Sequence, residues 1–258
     1  MKIATFNING VKARAEVLAR WLDESAPDAA VLQEIKSTDE AFPRDLIESR
    51  GYALETHGQK GFNGVAVISK RPIEAVTRGL PGDPDDDQAR WIEARLEGGI
   101  TLVGLYLPNG NPAPGPKFDY KLAWMARMRD RVAALLAEER VLVLAGDYNV
   151  IPQPIDAARP DAWRDDALFR PESRAAFRRT CALGLADAIR LRHPATPGLY
   201  SFWDYQQNAH ERNDGIRIDH LLLSPQAADR LTDAWIETGP RHWPRPSDHT
   251  PVWVALDA

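Results

Sequence analysis

The chain reads as an α/β protein, and three observations point that way. Short apolar runs of strand length recur along its whole length, and segments of helical periodicity fall between them. No low-complexity tract, short repeat or linker separates the halves, so a single domain over residues 1–258 fits better than two.

Taken in order, residues 1–6 open the sequence as a strand. Residues 13–24 suit a helix that places Val17, Leu18, Trp21 and Leu22 on one face. Strands are expected at residues 29–33 and 65–69. Residues 91–96 alternate apolar and polar side chains, and Gly98-Gly99 offers a tight turn into a partner strand at 101–107. The proline- and aspartate-rich stretch 81–87 and the stretch 109–116 read as surface loops. A second helix over 118–139 repeats Leu122, Met125, Met128, Val132 and Leu136 at helical spacing. Strands at 141–145, 218–223 and 252–256 complete the pattern.

A chain of 258 residues, 44% hydrophobic and 27% charged, builds a core that needs neither disulfide nor structural metal. The lone Cys181 excludes an internal disulfide and the paired-cysteine zinc patterns, and is expected to pack near Leu183 and Leu185. Nothing resembles a signal peptide or a membrane span, so a reducing, cytoplasmic setting without membrane contact is expected. The net charge of −5 opposes a polyanionic partner, but its distribution matters more than its sum. Six arginines between Arg170 and Arg192 face only Glu172 and Asp187, and five basic residues between Lys117 and Arg131 face only Asp119 and Asp130.

The informative polar residues stand where strands end. Asn7 closes the first strand, Glu34 follows the second, Asp147 and Asn149 follow 141–146, Asp219 lies within an apolar run, and Asp248-His249 opens the last strand. Ligands collect at strand ends in α/β sheets, where side chains from several strands converge. Taken singly, each residue is explained as a turn former, a cap or a solvated acid. Asp219 is the exception, since an acid inside a leucine strand needs a partner to stay charged. Together they favour a site, and carboxylate and amide oxygens suit Mg²⁺ or Mn²⁺.

The motifs then become recognisable. Ile3-Ala4-Thr5-Phe6-Asn7-Ile8-Asn9-Gly10, Leu32-Gln33-Glu34-Ile35-Lys36 and Asn63-Gly64-Val65-Ala66 resemble, in order, motifs of the endonuclease/exonuclease/phosphatase superfamily. So do Tyr106-Leu107-Pro108-Asn109-Gly110, Gly146-Asp147-Tyr148-Asn149, Arg217-Ile218-Asp219-His220 and Ser247-Asp248-His249. Within it, the stretch from Tyr200 to Tyr205 and that from Arg212 to Asp219 resemble the exonuclease III and abasic-site endonuclease family. The resemblance implies a four-layer α/β/β/α sandwich of the deoxyribonuclease I kind, with two packed mixed sheets flanked by helices.

It also implies a DNA-repair phosphodiesterase that cuts 5′ to abasic sites and trims 3′ ends, dependent on Mg²⁺ or Mn²⁺ and monomeric. By that resemblance Glu34 binds the metal with Asn7 and Asp248, and Asp147 activates water with Asn149 orienting it. Asp147, or alternatively His249, is the general base; in the first case His249 binds phosphate, held by Asp219, and Tyr106 donates to phosphate. Phe202, Ile216 and Ile218 line a pocket for a baseless sugar, and Asn109, Lys121, Arg178 and Arg217 are candidate DNA contacts. Asn9 stands where animal relatives carry aspartate. A phosphatase of the same superfamily acting on inositol phosphates or lipid headgroups, and an inactive nucleic-acid-binding scaffold, are the competing readings.

Overall fold

A computed structural model describes residues Met1–Asp257, and among them twelve strands form two sheets of six. In chain order the strands are Lys2–Asn7 (β1), Ala29–Gln33 (β2), Ala53–His57 (β3), Val65–Ser69 (β4), Ile73–Arg78 (β5) and Trp91–Leu96 (β6). They continue as Ile100–Tyr106 (β7), Val141–Asp147 (β8), Ala186–Asp187 (β9), Asp219–Leu223 (β10), Leu231–Ile236 (β11) and Val252–Leu256 (β12). The helices used below are Ala15–Ser25 (α1), Arg44–Glu48 (α2), Pro116–Leu136 (α3), Pro171–Cys181 (α4) and Ala188–Arg192 (α5).

One sheet runs β11-β12-β1-β2-β4-β3 and the other β5-β6-β7-β8-β10-β9. Each has a single parallel pair at its centre, β1 with β2 and β7 with β8, flanked on both sides by antiparallel partners. The sheets stack face to face over a shared core of aliphatic side chains including Ile3, Val31, Ile92, Leu102, Val143 and Val254. Gly104 permits the close approach, since a Cβ there would stand 2.6 Å from Val31 Cγ1 of the opposite sheet. Outside the first sheet, α1 buries Val17, Leu18, Trp21 and Leu22 against Phe6, Leu32 and Trp253. Outside the second, α3 and α4 bury Trp124, Met125, Met128 and Phe177 against Trp91, Leu105 and Leu144. Four layers result, as the family resemblance implies.

The helix face expected on α1 is the buried one. On α3 the buried row is Phe118, Lys121, Trp124, Met125, Met128, Val132 and Leu135, with Leu122 and Leu136 at its margins. The hairpin turn after β6 uses Gly98 and Gly99, both at positive φ (93° and 84°), which only glycine adopts freely. Cys181 is partly buried beside the helical core of the second sheet. No helix among the described residues is long and apolar enough to cross a membrane.

Candidate active site

Period-two alternation explains how the site arises. Along β2, β8 and β10 every second side chain enters the space between the sheets, apolar in mid-strand and polar at one end, and along β1 the inward row passes from Ile3 to the polar Thr5 and Asn7. Asn7 ends β1, Glu34 follows β2, Tyr106 ends β7, Asp147 ends β8, Asp219 opens β10 and His249 precedes β12. Because the two parallel pairs end at the same rim, these residues meet across the gap between the sheets.

Asn7 is the link between the halves. Its Nδ2 donates to Glu34 Oε1 and to Asp147 Oδ2, both at 2.9 Å, while its Oδ1 accepts the Asn9 N–H at 3.0 Å. The amide thus presents nitrogen to the two acids, and its oxygen is taken by the backbone. Direct coordination by Asn7 therefore requires that amide to turn over.

Asp219 and His249 form the buried half of the site. His249 Nδ1 lies 2.8 Å from Asp219 Oδ2, which also accepts the Ser201 hydroxyl at 2.6 Å. Ser201 Oγ in turn accepts the N–H groups of Ile218 and Asp219, at 3.2 and 3.1 Å, so the acid is fixed from beneath. His249 Nε2 faces Asp147 Oδ2 at 3.7 Å. Burial alone would lower the His249 pKa, but the charge and hydrogen bond of Asp219, with Asp147 beyond, push it up to about 10. At neutral pH the ring is an imidazolium with two N–H donors and no lone pair for a metal.

Asp147 responds in the opposite sense. Burial raises its pKa to about 7, with the Asp219 charge adding and His249, the Asn149 N–H and Asn7 opposing. Tyr106 is held well above its ordinary value by burial and by the nearby charges of Glu34 and Asp147, so its hydroxyl keeps its proton. Asn149 donates to Leu107 O at 2.9 Å and accepts from Asn109 Nδ2 at 3.2 Å, which leaves one amide N–H free. The carboxylates of Glu34 and Asp147 and a ring nitrogen of His249 offer ligand atoms all within 4.8 Å of one another. With the ring held at Nδ1 by Asp219 and its pKa raised, the donors best suited to a small divalent cation at this rim are the hard oxygens of the Glu34, Asp147 and Asp248 carboxylates.

The cleft above these groups is lined by Tyr106, Asn109, Trp163, Leu168, Phe202 and Ile218 as well as the acids. The Phe202 ring meets His249 edge-on, with centroids 4.9 Å apart. Ile218 lines this cleft, whereas Ile216 is buried and lines the adjoining groove behind Phe202. Trp163 and Leu168 escaped the sequence analysis, because they lie in an irregular stretch between β8 and α4 without periodicity. Ser201 escaped it as well, since a serine beside Phe202 carries no mark of its partner.

Two expected DNA contacts are corrected by their burial. Arg217 is fully buried. Standing between Ile216 and Ile218 in an extended stretch, it points away from the cleft and binds Asp156 (Nε to Oδ1, 2.8 Å) and Asp187 (Nη2 to Oδ2, 2.8 Å). Arg190 also pairs with Asp156, and Arg217 Nη1 lies 2.9 Å from His220 Nδ1.

Lys121 is likewise fully buried and donates to the carbonyls of Asn109 (3.0 Å) and Asn149 (2.6 Å). It sits on the inward row of α3, three residues after Phe118 and four before Met125. Burial lowers its pKa to about 7 against the raising influence of Asp147 and Asp166. Lys121→Met is expected to cost roughly 2–3 kcal/mol, because two buried carbonyls lose their donor. The salt dependence of DNA binding should be unchanged in that variant; a shallower salt slope would restore the phosphate contact. Of the other two, Asn109 stands at the cleft and Arg178 on the exposed side of α4.

Comparison with known proteins agrees with this geometry. Residues 4–249 match the endonuclease/exonuclease/phosphatase family. The chain is 36% identical to exodeoxyribonuclease III of Haemophilus influenzae, covering 98% of this chain and 99% of that one. An AP endonuclease from Archaeoglobus fulgidus superposes with a TM-score of 0.96 at 35% identity, covering all of both chains. A 3′-5′ exonuclease from Neisseria meningitidis superposes with a TM-score of 0.97 at 36% identity, again over the whole of both. Four layers, acids gathered where the two sheets meet and full-length similarity therefore lead to one statement: the chain belongs to the endonuclease/exonuclease/phosphatase family, within its exodeoxyribonuclease III and AP endonuclease group.

Proposed function

We propose that the protein is a DNA-repair phosphodiesterase that hydrolyses the bond 5′ to abasic sites and removes nucleotides or blocking groups from 3′ ends. The observation that carries this reading is the adjacency of two environments. A rim of acids and a buried imidazolium opens directly onto an apolar slot formed by Phe202, Trp163, Leu168 and Ile218. Such a slot suits a sugar that has lost its base, and turning that sugar out of the helix breaks no base pair.

Each residue has a part. Asp147, its pKa raised toward neutrality, takes the proton of the attacking water, and the free amide N–H of Asn149 orients that water. His249, kept cationic by Asp219, donates to a non-bridging phosphate oxygen, and the Tyr106 hydroxyl donates to another. Glu34, with Asp248 and water-mediated help from Asn7, would hold Mg²⁺ or Mn²⁺. When bound, such a cation supplies charge neutralisation at the phosphate and the leaving 3′ oxygen. Asn109 and Arg178 would touch the backbone, positioning it without reading sequence. The enzyme would act as a single catalytic domain and a monomer, in the cytoplasm.

A labelled duplex with one central tetrahydrofuran analogue tests this, with Mg²⁺ or EDTA, beside an intact duplex bearing recessed 3′ ends. A Mg²⁺-dependent nick 5′ to the analogue is expected, weakened by Phe202→Ala more than 3′ trimming is. A 3′ ladder without a nick would sink the abasic reading, and no cleavage with either Mg²⁺ or Mn²⁺ would sink both.

A further inference from the structure

We infer that Lys36 is a built-in competitor for the divalent cation, its ammonium holding the Glu34 oxygen that the cation must take. The inference rests on the reading of Glu34 as a metal ligand. Lys36 Nζ lies 2.9 Å from Glu34 Oε2 and 2.6 Å from Asn9 Oδ1. Glu34 Oε1 is engaged by Asn7, so Oε2 is the oxygen left for a cation, and the lysine is on it. Asn9 extends the arrangement, donating from Nδ2 to Asp248 Oδ1 at 3.0 Å. One ammonium therefore touches Glu34 directly and reaches Asp248, the second acid of this rim, through the Asn9 amide.

The local backbone sets this up. Glu34 and Lys36 both take the left-handed conformation (φ 49° and 50°), with Ile35 buried between them. The turn is clamped on both sides: Gly10 N–H donates to Glu34 O at 2.7 Å, and Lys36 N–H donates to Asn63 O at 3.0 Å. The two side chains are thus delivered from one rigid turn toward the same point.

They differ in freedom. The Glu34 carboxylate is tethered by Asn7 and only 18% exposed, whereas the Lys36 side chain is 32% exposed on a flexible four-carbon stem. When a cation arrives, the lysine is the partner that leaves, and its departure releases Glu34 Oε2. A phosphate that draws the ammonium away frees the same oxygen, so DNA backbone and cation reinforce each other's binding.

The test is Mn²⁺ binding, followed by the free-ion paramagnetic resonance signal and by the rise in Tm on Mn²⁺ addition, with no DNA present. The proteins are the unaltered chain, Lys36→Met, Lys36→Arg and Glu34→Gln. Lys36→Met should bind Mn²⁺ about five- to tenfold more tightly, the scale of losing one partly exposed ion pair and one like charge. Lys36→Arg should stay within about twofold of the unaltered chain, since the charge is kept. Glu34→Gln should lose most of the binding. If Lys36→Met binds no more tightly while Glu34→Gln loses binding, the competitor is refuted and the Glu34 reading stands. If Glu34→Gln binds normally, the Glu34 reading fails and the competitor falls with it.

Discussion

Replacing Asp219 with asparagine is expected to lower kcat by about 10²–10³ at mildly alkaline pH, and the deficit should shrink as the pH is lowered. The geometry gives the sign. In the proposed role His249 serves only while protonated, and Asp219 at 2.8 Å is the main reason its pKa stands near 10 rather than below the ordinary 6.5 that burial would impose. Without that carboxylate, burial prevails and the ring loses its proton in the neutral range. The variant is then charged only in acid, while the unaltered enzyme stays charged through neutrality. In acid both enzymes lose the Asp147 base, the variant no earlier than its parent because the Asp219 charge raises that pKa, so the ratio of variant to parent kcat is the quantity to follow. It should rise steadily toward acid. A ratio independent of pH would mean that Asp219 orients the ring without setting its charge. The double variant Asp219→Asn/His249→Ala should be little worse than His249→Ala alone, because the two act as a unit.

Arg217→Met is expected to destabilise the fold by about 3–5 kcal/mol, measured as a fall in urea midpoint at unchanged slope. The arginine is fully buried, and its removal leaves Asp187 without its cation and Asp156 with Arg190 alone. An unchanged midpoint would show that these acids are solvated or protonated in the native state.

The same network makes the protein acid-labile. His220 accepts from Arg217 at Nδ1 and donates to Val150 O at 3.0 Å, an arrangement possible only for a neutral ring. Burial and the neighbouring guanidinium hold its pKa down to about 4, below the 6.5 expected when unfolded. A histidine lowered on folding stabilises the native state above its unfolded pKa and loses that contribution as the pH falls from 6.5 toward 4. The loss is about 3 kcal/mol. Asp187 adds to it: despite burial, Arg217 and His220 hold its pKa below the ordinary value, so its contribution also disappears in acid. His220→Gln should flatten the stability profile over this window.

What could be read in the sequence divides along physical lines. The eight strands found were β1, β2, β4, β6, β7, β8, β10 and β12, all interior to their sheets. The four missed, β3, β5, β9 and β11, are the four edge strands. An interior strand is covered on both faces and reads as an apolar run. An edge strand such as Ile73–Arg78 or Leu231–Ile236 leaves most of its side chains partly or fully exposed and reads as a loop. The convergence of Asn7, Glu34, Asp147, Asp219 and His249 was legible because strand ends and ordered motifs mark them. Lys121 and Arg217 were misjudged because charge was given more weight than position. The spacing 118, 121, 125, 128, 132 already placed the lysine inward, and the Ile216-Arg217-Ile218 alternation already set the arginine opposite the slot. Trp163 and Leu168 had no such signal, since an irregular segment is placed only by what it packs against.

The site is shared between two stacked sheets, with Asn7, Glu34 and His249 at the rim of one and Tyr106, Asp147 and Asp219 at the rim of the other. Neither half is a weak version of the whole. A polypeptide that has built only the first sheet would hold Asn7, Glu34 and His249 without Asp147. One that has built only the second would hold Asp147 and Asp219 without His249. For a protein whose activity is to break DNA, this is an all-or-none safeguard. A chain in which one sheet has not formed lacks half of these residues, and the site is complete only when the two sheets have packed.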